Sequence, residues 1–339
     1  MARPEAPAGV EPIISLSGVT RRFNGFTAVR DLSLEVPRGH ILGLIGPSGS
    51  GKTTTVRMLT GTLRPTAGGI RVMGHDPLHF GRTVRRQIAY MPQLFSLYPD
   101  LTARENVGFV AALYGYSWFG RESRIRRALE VVDLWDARDR LARDLSGGMQ
   151  RRLELACAIV HDPQVLFIDE PTAGIDPMLR VSIWDELREM RDQGRTLLVT
   201  TQYVGEAEYC DEVALLAEGE LIALDTPEAL RQHVYGGDVL EIDTDRAVDP
   251  EAIATVGEVM EVRQPAPRRL IVVVPEAGPA TPRLMDALRQ RGVGVVAIEE
   301  YQPSFDEVFT DLVQRRRRER EKDANGDGSS PAREGTDAA

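Results

Sequence analysis

The segment ILGLI-GPSGSGKT, residues 41–53, constrains the fold most, because an apolar strand pattern runs directly into a glycine-rich loop and then into a helical pattern through Val56, Met58 and Leu59. An apolar run of that length with no polar alternation reads as a strand buried on both faces, which occurs where helices cover a parallel sheet. In the loop Gly46, Pro47, Ser48, Gly49, Ser50 and Gly51, the glycines let backbone N–H groups turn inward around an anion, and the helix that follows presents its positive end to the same point. Lys52 is then placed to span the β- and γ-phosphates of a nucleotide and Thr53 to ligate Mg2+, with Thr54 closing the loop.

A second apolar run, VLFIDE, ends abruptly in Asp169 and Glu170. Two acids at the end of a buried strand are costly unless a cation or a water-mediated reaction uses them, so Asp169 is expected in the Mg2+ shell and Glu170 beside the attacking water. The alternative is a cap on the turn that follows. The third segment, LSGGMQ, puts Ser146, Gly147 and Gly148 at the start of a helix, where they form either a helix cap or a second phosphate-binding surface in the same chain.

With GPSGSGKT, LSGGMQ and VLFIDE in this order, residues 13–225 resemble the ATP-binding cassette (ABC) family. The resemblance implies an α/β P-loop NTPase cassette: a RecA-like core with an antiparallel β subdomain and a helical subdomain. It implies ATP and Mg2+ as cofactors and ATP hydrolysis as the activity. It implies a homodimer or heterodimer of cassettes in which Ser146 and Gly148 reach the nucleotide of the other subunit. The remaining roles come from the same source. Gln93, in YMPQ, would sense Mg2+ and relay to a membrane-spanning permease, and Phe23 would stack on adenine. Asp176, in AGIDP, would couple the two sites or cap the next helix. The chain departs from the family at TTQY, where Gln202 stands in the place of the usual His. Gln202, LFSLYPDLTARENV and LSGGMQRRLELA together resemble bacterial drug-resistance exporters of the daunorubicin type.

The pattern divides the chain into a flexible N-terminus at 1–12, a nucleotide-binding domain at 13–235, an accessory domain at 237–314 and a charged tail at 315–339. Strands are expected at 13–19, 32–36, 41–45, 88–91, 165–169, 196–200 and 213–217. Helices at 102–114, 122–132 and 147–160 lack an intervening strand and read as a helical insertion over 94–160. After a connecting helix at 227–233 and the Gly236-Gly237 pair, strand, helix and strand occur twice: 239–243, 250–255, 258–263, then 270–274, 282–291, 295–299. That order suggests a small α+β, ferredoxin-like module. A final helix is expected over 305–318. The tail beyond it has almost nothing to bury and is expected to be disordered.

A chain of 339 residues that is 42% hydrophobic can bury a sizeable core. Its net charge of -10 argues against a nucleic-acid partner, since an acidic surface repels phosphate. Cys157 and Cys210 read as buried, reduced thiols, with a single disulfide as the alternative. No run approaches the roughly 18 apolar residues of a spanning helix, and 1–12 lacks a signal-peptide core, so membrane work needs a partner and the chain is expected on the cytoplasmic side of the membrane. The rival readings are an importer ATPase and a soluble ABC ATPase acting on nucleic acid or ribosomes. One cassette, acidic balance and no sustained heptads favour transport over the second. Residues 323–334 have the spacing of a calcium-binding loop, but the incoming charge run and Pro331 argue for coincidence. The Arg315 to Arg318 run reads as a solvated helix end.

Overall fold

The computed structural model describes residues 11–326 apart from 95 and 117, in two compact units that divide between Pro227 and Glu228. The first unit opens with β1 (Ile14–Phe23), β2 (Phe26–Val36), β3 (Ile41–Ile45), α1 (Lys52–Leu59), β4 (Ala67–Val72), α2 (Arg82–Arg85) and β5 (Ile88–Met91). Three helices follow, α3 (Ala103–Leu113), α4 (Trp118–Val131) and α5 (Gly147–Ile159). The unit closes with β6 (Val165–Asp169), α6 (Pro177–Asp192), β7 (Thr196–Thr201), β8 (Glu212–Ala217) and β9 (Glu220–Asp225).

The central sheet has the order β5-β6-β7-β3-β8-β9, parallel except for the antiparallel edge strand β9. Every residue of β3 and of β6 is buried, as expected for a sheet covered on both faces. A three-stranded antiparallel sheet, β2-β1-β4, shares one hydrophobic core with it: Ile14, Val29 and Ile70 belong to the cluster that includes Leu42, Leu44, Val56 and Phe167. The Arg30 amide donates to the Gly219 carbonyl at 2.7 Å and ties the two sheets at one edge.

Several elements differ from the sequence reading. Strand β1 runs on to Phe23 and β2 begins at Phe26, because Asn24 and Gly25, both at positive φ, make the two-residue turn that suits a twisted hairpin. Strand β4 was not expected, since Gly68 and Gly69 weaken its pattern, and neither was β9, which returns from β8 through a turn at Glu218 and Gly219. Helix α3 starts where expected, because Thr102 and Glu105 form a reciprocal capping box. Cys157 and Cys210 are unpaired; Cys210 is buried, but Cys157 is only half-buried.

The second unit takes α7 (Pro227–Tyr235), then β10 (Asp238–Thr244), α8 (Pro250–Ala254), β11 (Glu261–Ala266), β12 (Arg269–Val274), α9 (Ala277–Gln290), β13 (Val295–Glu300) and α10 (Phe305–Gly326). The strand order β11-β12-β10-β13, antiparallel throughout, places β12 between β10 and β11 and makes the split βαβ of a ferredoxin-like module. Leu240, Ile242, Leu270, Val272, Leu284 and Leu288 form its core.

The unit boundary falls ahead of Gly236. Helix α7 belongs with the second unit, where Arg231 donates to the Pro303 carbonyl and the Val234 carbonyl accepts from Arg315. Helix α9 begins at Ala277 and not at Pro282, because Asp238 Oδ2 accepts from the Ala277 amide at 2.8 Å and caps it from outside the helix. Strand β11 starts and ends later than expected and carries Pro265, which its edge position tolerates. Helix α10 runs past its expected end at 318 to Gly326, into the tail expected to be disordered. Once Phe305, Val308 and Leu312 are buried, adding Arg, Glu and Lys to an existing helix costs little. Residues 327–339, with most of the calcium-loop spacing, lie outside the described residues.

Candidate active site

Of the five parallel strands of the central sheet, β3, β5, β6 and β7 carry the chemistry-bearing residues at or just beyond their carboxyl ends. The glycine-rich loop, Gly46 to Gly51, leaves β3 there and opens α1. Two of its glycines have no substitute: Gly51 sits at φ 103 with the Ala28 carbonyl 2.6 Å from where a Cβ would be, and a Cβ on Gly46 would lie 2.1 Å from the Leu216 carbonyl.

Lys52 is 4% exposed. Its ammonium donates to the carbonyls of Gly46 at 2.7 Å and Pro47 at 3.1 Å and lies 3.7 Å from Glu170 Oε1. Burial lowers its pKa, and the carboxylates of Glu170 and Asp169 partly oppose that shift.

Asp169 ends β6 almost fully buried. Its Oδ1 accepts from Thr200 Oγ1 at 2.5 Å and from Thr53 Oγ1 at 3.3 Å, whereas Oδ2 is buried with no partner. A buried carboxylate oxygen left open beside a threonine hydroxyl is an oxygen set that a small, hard divalent cation fits. Ser50 Oγ, in the loop itself, is likewise buried and open.

Glu170 follows at φ 48, in the left-handed region that a residue with a Cβ rarely adopts. The strain is held in place from β7: the Glu170 amide donates to the Thr200 carbonyl at 3.1 Å and to Thr200 Oγ1 at 3.0 Å. Gln93, just past β5, donates Nε2 to Glu170 Oε2 at 2.8 Å. Lys52, Thr53, Gln93, Asp169 and Glu170 therefore meet in one cluster, together with Thr200, which sequence reasoning passed over.

The other expected residues stand apart from it. Ser146 caps α5, its Oγ accepting from the Met149 amide at 3.3 Å; among the described residues, Ser146, Gly147 and Gly148 make no hydrogen bond to the loop at 46–54. Asp176 caps α6 by accepting from the amides of Met178 and Leu179, each at 3.1 Å. Phe23, at the end of β1, is exposed, with the Arg21 guanidinium 4.3 Å from its ring centroid. Gln202 is exposed at the bend after β7.

Sequence reasoning also missed Arg151, on the first turns of α5. It is 3% exposed and directs its guanidinium at the backbone just past β5 and β6. Nothing in the doublet Arg151-Arg152 distinguishes the inward residue from its neighbour.

Residues 29–173 match the ABC transporter family, and residues 226–313 match the C-terminal domain of DrrA1-3-like ATP-binding proteins. The chain is 44% identical over 230 residues to the daunorubicin/doxorubicin resistance ATP-binding protein DrrA of Streptomyces peucetius, covering 68% of this chain and 69% of that one. It is 35% identical over 315 residues to the daunorubicin resistance ATP-binding protein DrrA3 of Streptomyces coeruleorubidus, covering 91% and 98%. It is 36% identical over 308 residues to the probable multidrug ABC transporter ATP-binding protein YbhF of Escherichia coli, of which it spans only about half, 52%. Among solved structures, an ATP-binding subunit of an ABC transporter superposes with a TM-score of 0.59 at 28% identity, covering 65% of this chain and 92% of that one. A dimeric ATP-binding cassette in a post-hydrolysis state with ADP and phosphate gives 0.57 at 26% identity, covering 63% and 98%. This chain belongs to the ATP-binding proteins of the ABC transporter family.

Proposed function

We propose that the chain is the ATP-hydrolysing motor of an exporter for a drug-like, lipid or other small molecule, working as a dimer of cassettes on the cytoplasmic face of a membrane beneath a separate permease. The observation that carries the reading is the convergence of Lys52, Asp169, Glu170 and Gln93 past the carboxyl ends of β3, β6 and β5. The likeness to DrrA along the cassette and to the DrrA-type C-terminal domain supports export. No helix among the described residues is long and apolar enough to cross a membrane.

In this reading the backbone N–H groups of residues 48–53 cradle the β-phosphate, and Lys52 supplies a charge-assisted donor to the β and γ oxygens. Asp169 and Thr53 would hold the magnesium ion that accompanies the nucleotide, and that ion would offset negative charge on the transferring phosphoryl group. Glu170 orients the attacking water and takes its proton as the bond to the γ-phosphorus forms and the bond to the ADP oxygen breaks. Gln93 fixes the Glu170 carboxylate. Ser146 and Gly148 complete the site of the opposite subunit, Asp176 lies at the contact between the two sites, and Phe23 stacks on adenine.

The test is steady-state ATP turnover, nucleotide affinity and oligomeric state of the full chain and of Glu170→Gln. The variant should bind Mg-ATP within about twofold of wild type, lose roughly 10²-fold or more in turnover, and accumulate as an ATP-bound dimer. Wild-type turnover in Glu170→Gln would reject the assignment. Co-purification of the chain from membranes with a multi-helix protein tests the transporter role itself.

A further inference from the structure

We infer that Arg151 is a positioning residue for hydrolysis: its guanidinium locks the backbone of Glu170 and Gln93 to helix α5, so that the carboxylate is held over the nucleotide only while that helix is seated. The inference rests on the reading of Glu170 as the group that orients water.

Each of the three guanidinium nitrogens is used. Nη2 donates to the carbonyls of Asp169 at 3.0 Å and Glu170 at 2.8 Å, and Nε to that of Pro171 at 2.9 Å. Nη1 donates to the carbonyls of Pro92 at 3.0 Å and Gln93 at 3.4 Å and to Glu154 Oε2 at 2.6 Å. Glu154 extends the clamp, its Oε1 accepting from the Ser96 amide at 2.7 Å. One buried pair thus fastens Pro92, Gln93 and Ser96 to residues 169–171, the two segments that carry Gln93 and Glu170.

Four of these carbonyls, those of Pro92, Gln93, Glu170 and Pro171, lie past the last paired residues of β5 and β6, so no sheet ladder satisfies them, and an unpaired buried carbonyl is costly. Glu170 also carries its own strain at φ 48. Its amide is pinned by Thr200 and its carbonyl by Arg151, so both ends of the strained peptide are fixed by residues remote in sequence. Arg151 is five residues after Ser146, on the helix whose first turn is assigned to the opposite subunit's nucleotide. Any shift of α5 on engaging that nucleotide therefore pulls on the backbone of Glu170. A lysine in the same place offers three donors from one point and cannot reproduce a planar fork that reaches five carbonyls.

The test uses the full chain and compares Arg151→Lys with wild type in steady-state Mg-ATP turnover and in equilibrium binding of a fluorescent ATP analogue. Turnover should fall about tenfold or more with the dissociation constant within about twofold, because a displacement of roughly 1 Å at the carboxylate is enough. In a Gln93→Ala background the same substitution should cost much less, since the two residues act on one carboxylate. If the buried ammonium prevents folding, Arg151→Met combined with Glu154→Leu removes both charges while filling the volume, and should show the same split between turnover and affinity. Turnover within twofold of wild type in either folded variant would overturn the inference, as would a loss confined to nucleotide affinity or an undiminished cost in the Gln93→Ala background. An inactive wild-type chain would overturn the ATPase reading first, and so is told apart from these outcomes.

Discussion

Gln93 donates its side-chain amide to the Glu170 carboxylate at 2.8 Å across 77 residues of sequence. With Lys52 at 3.7 Å from the other carboxylate oxygen, both oxygens of Glu170 are engaged from within the same subunit. Ser146 has no such link to the loop at 46–54, and this contrast defines the first prediction.

If each site draws its phosphate loop from one chain and its Ser146 from another, Lys52→Ala and Ser146→Arg are each inactive alone and complementary when mixed. Random pairing makes half the dimers mixed, each with one intact site of two, so turnover should recover to roughly a quarter of wild type. Mixed dimers that form and remain inactive would count against a shared site.

Gln202 is exposed after β7, and its amide can donate and accept hydrogen bonds but cannot gain charge as pH falls. Gln202→His should remain active and acquire a pH dependence near the imidazole pKa of about 6.5. Gln202→Ala should lose turnover more than nucleotide affinity. Turnover measured from about pH 6 to 8 with the permease present decides; unchanged turnover for Gln202→Ala would make Gln202 a strand-end residue only.

His161, at the end of α5, stacks on Tyr114 with ring centroids 3.7 Å apart and hydrogen-bonds through Nε2 to the Ile88 carbonyl. Burial pulls its pKa down to about 4, partly opposed by that hydrogen bond. The unfolded chain therefore takes up this proton first, and the contribution of neutral His161 is intact above about pH 6.5 and lost as pH falls toward 4, on the order of 3 kcal/mol in all. Denaturant melts should show wild type losing stability more steeply than His161→Gln across that window. Parallel slopes would refute the assignment.

The strands that carry the site were legible because each is an apolar run ending in a chemical signature: β3 into the glycine loop, β6 into Asp169 and Glu170. The hairpin of β1 and β2 was legible only in part. Shifts in register between Leu16 and Val19 and again near Arg21 break the alternation, although the Asn24-Gly25 turn was available as a signal. Arg151 was invisible for a different reason. In a sequence, an arginine on an amphipathic helix reads as solvated, and only the packed structure reveals carbonyls that need it. The persistence of α10 past Arg318 was missed because composition reports what can be buried, not what an existing helix can extend.

The chain leaves the central sheet after β5 and re-enters it at β6, and these two strands are neighbours. The whole excursion through α3, α4 and α5 is therefore attached to the sheet at a single seam. Its outer helices can lengthen, shorten or change surface over evolutionary time without moving Asp169 against Thr200 or Lys52 against Glu170. What has to survive such change is the clamp at Arg151 and the turn at Ser146 to Gly148 that opens α5. A lineage built this way can take up new membrane partners by drift in one module while its catalytic strands stay under unchanged selection.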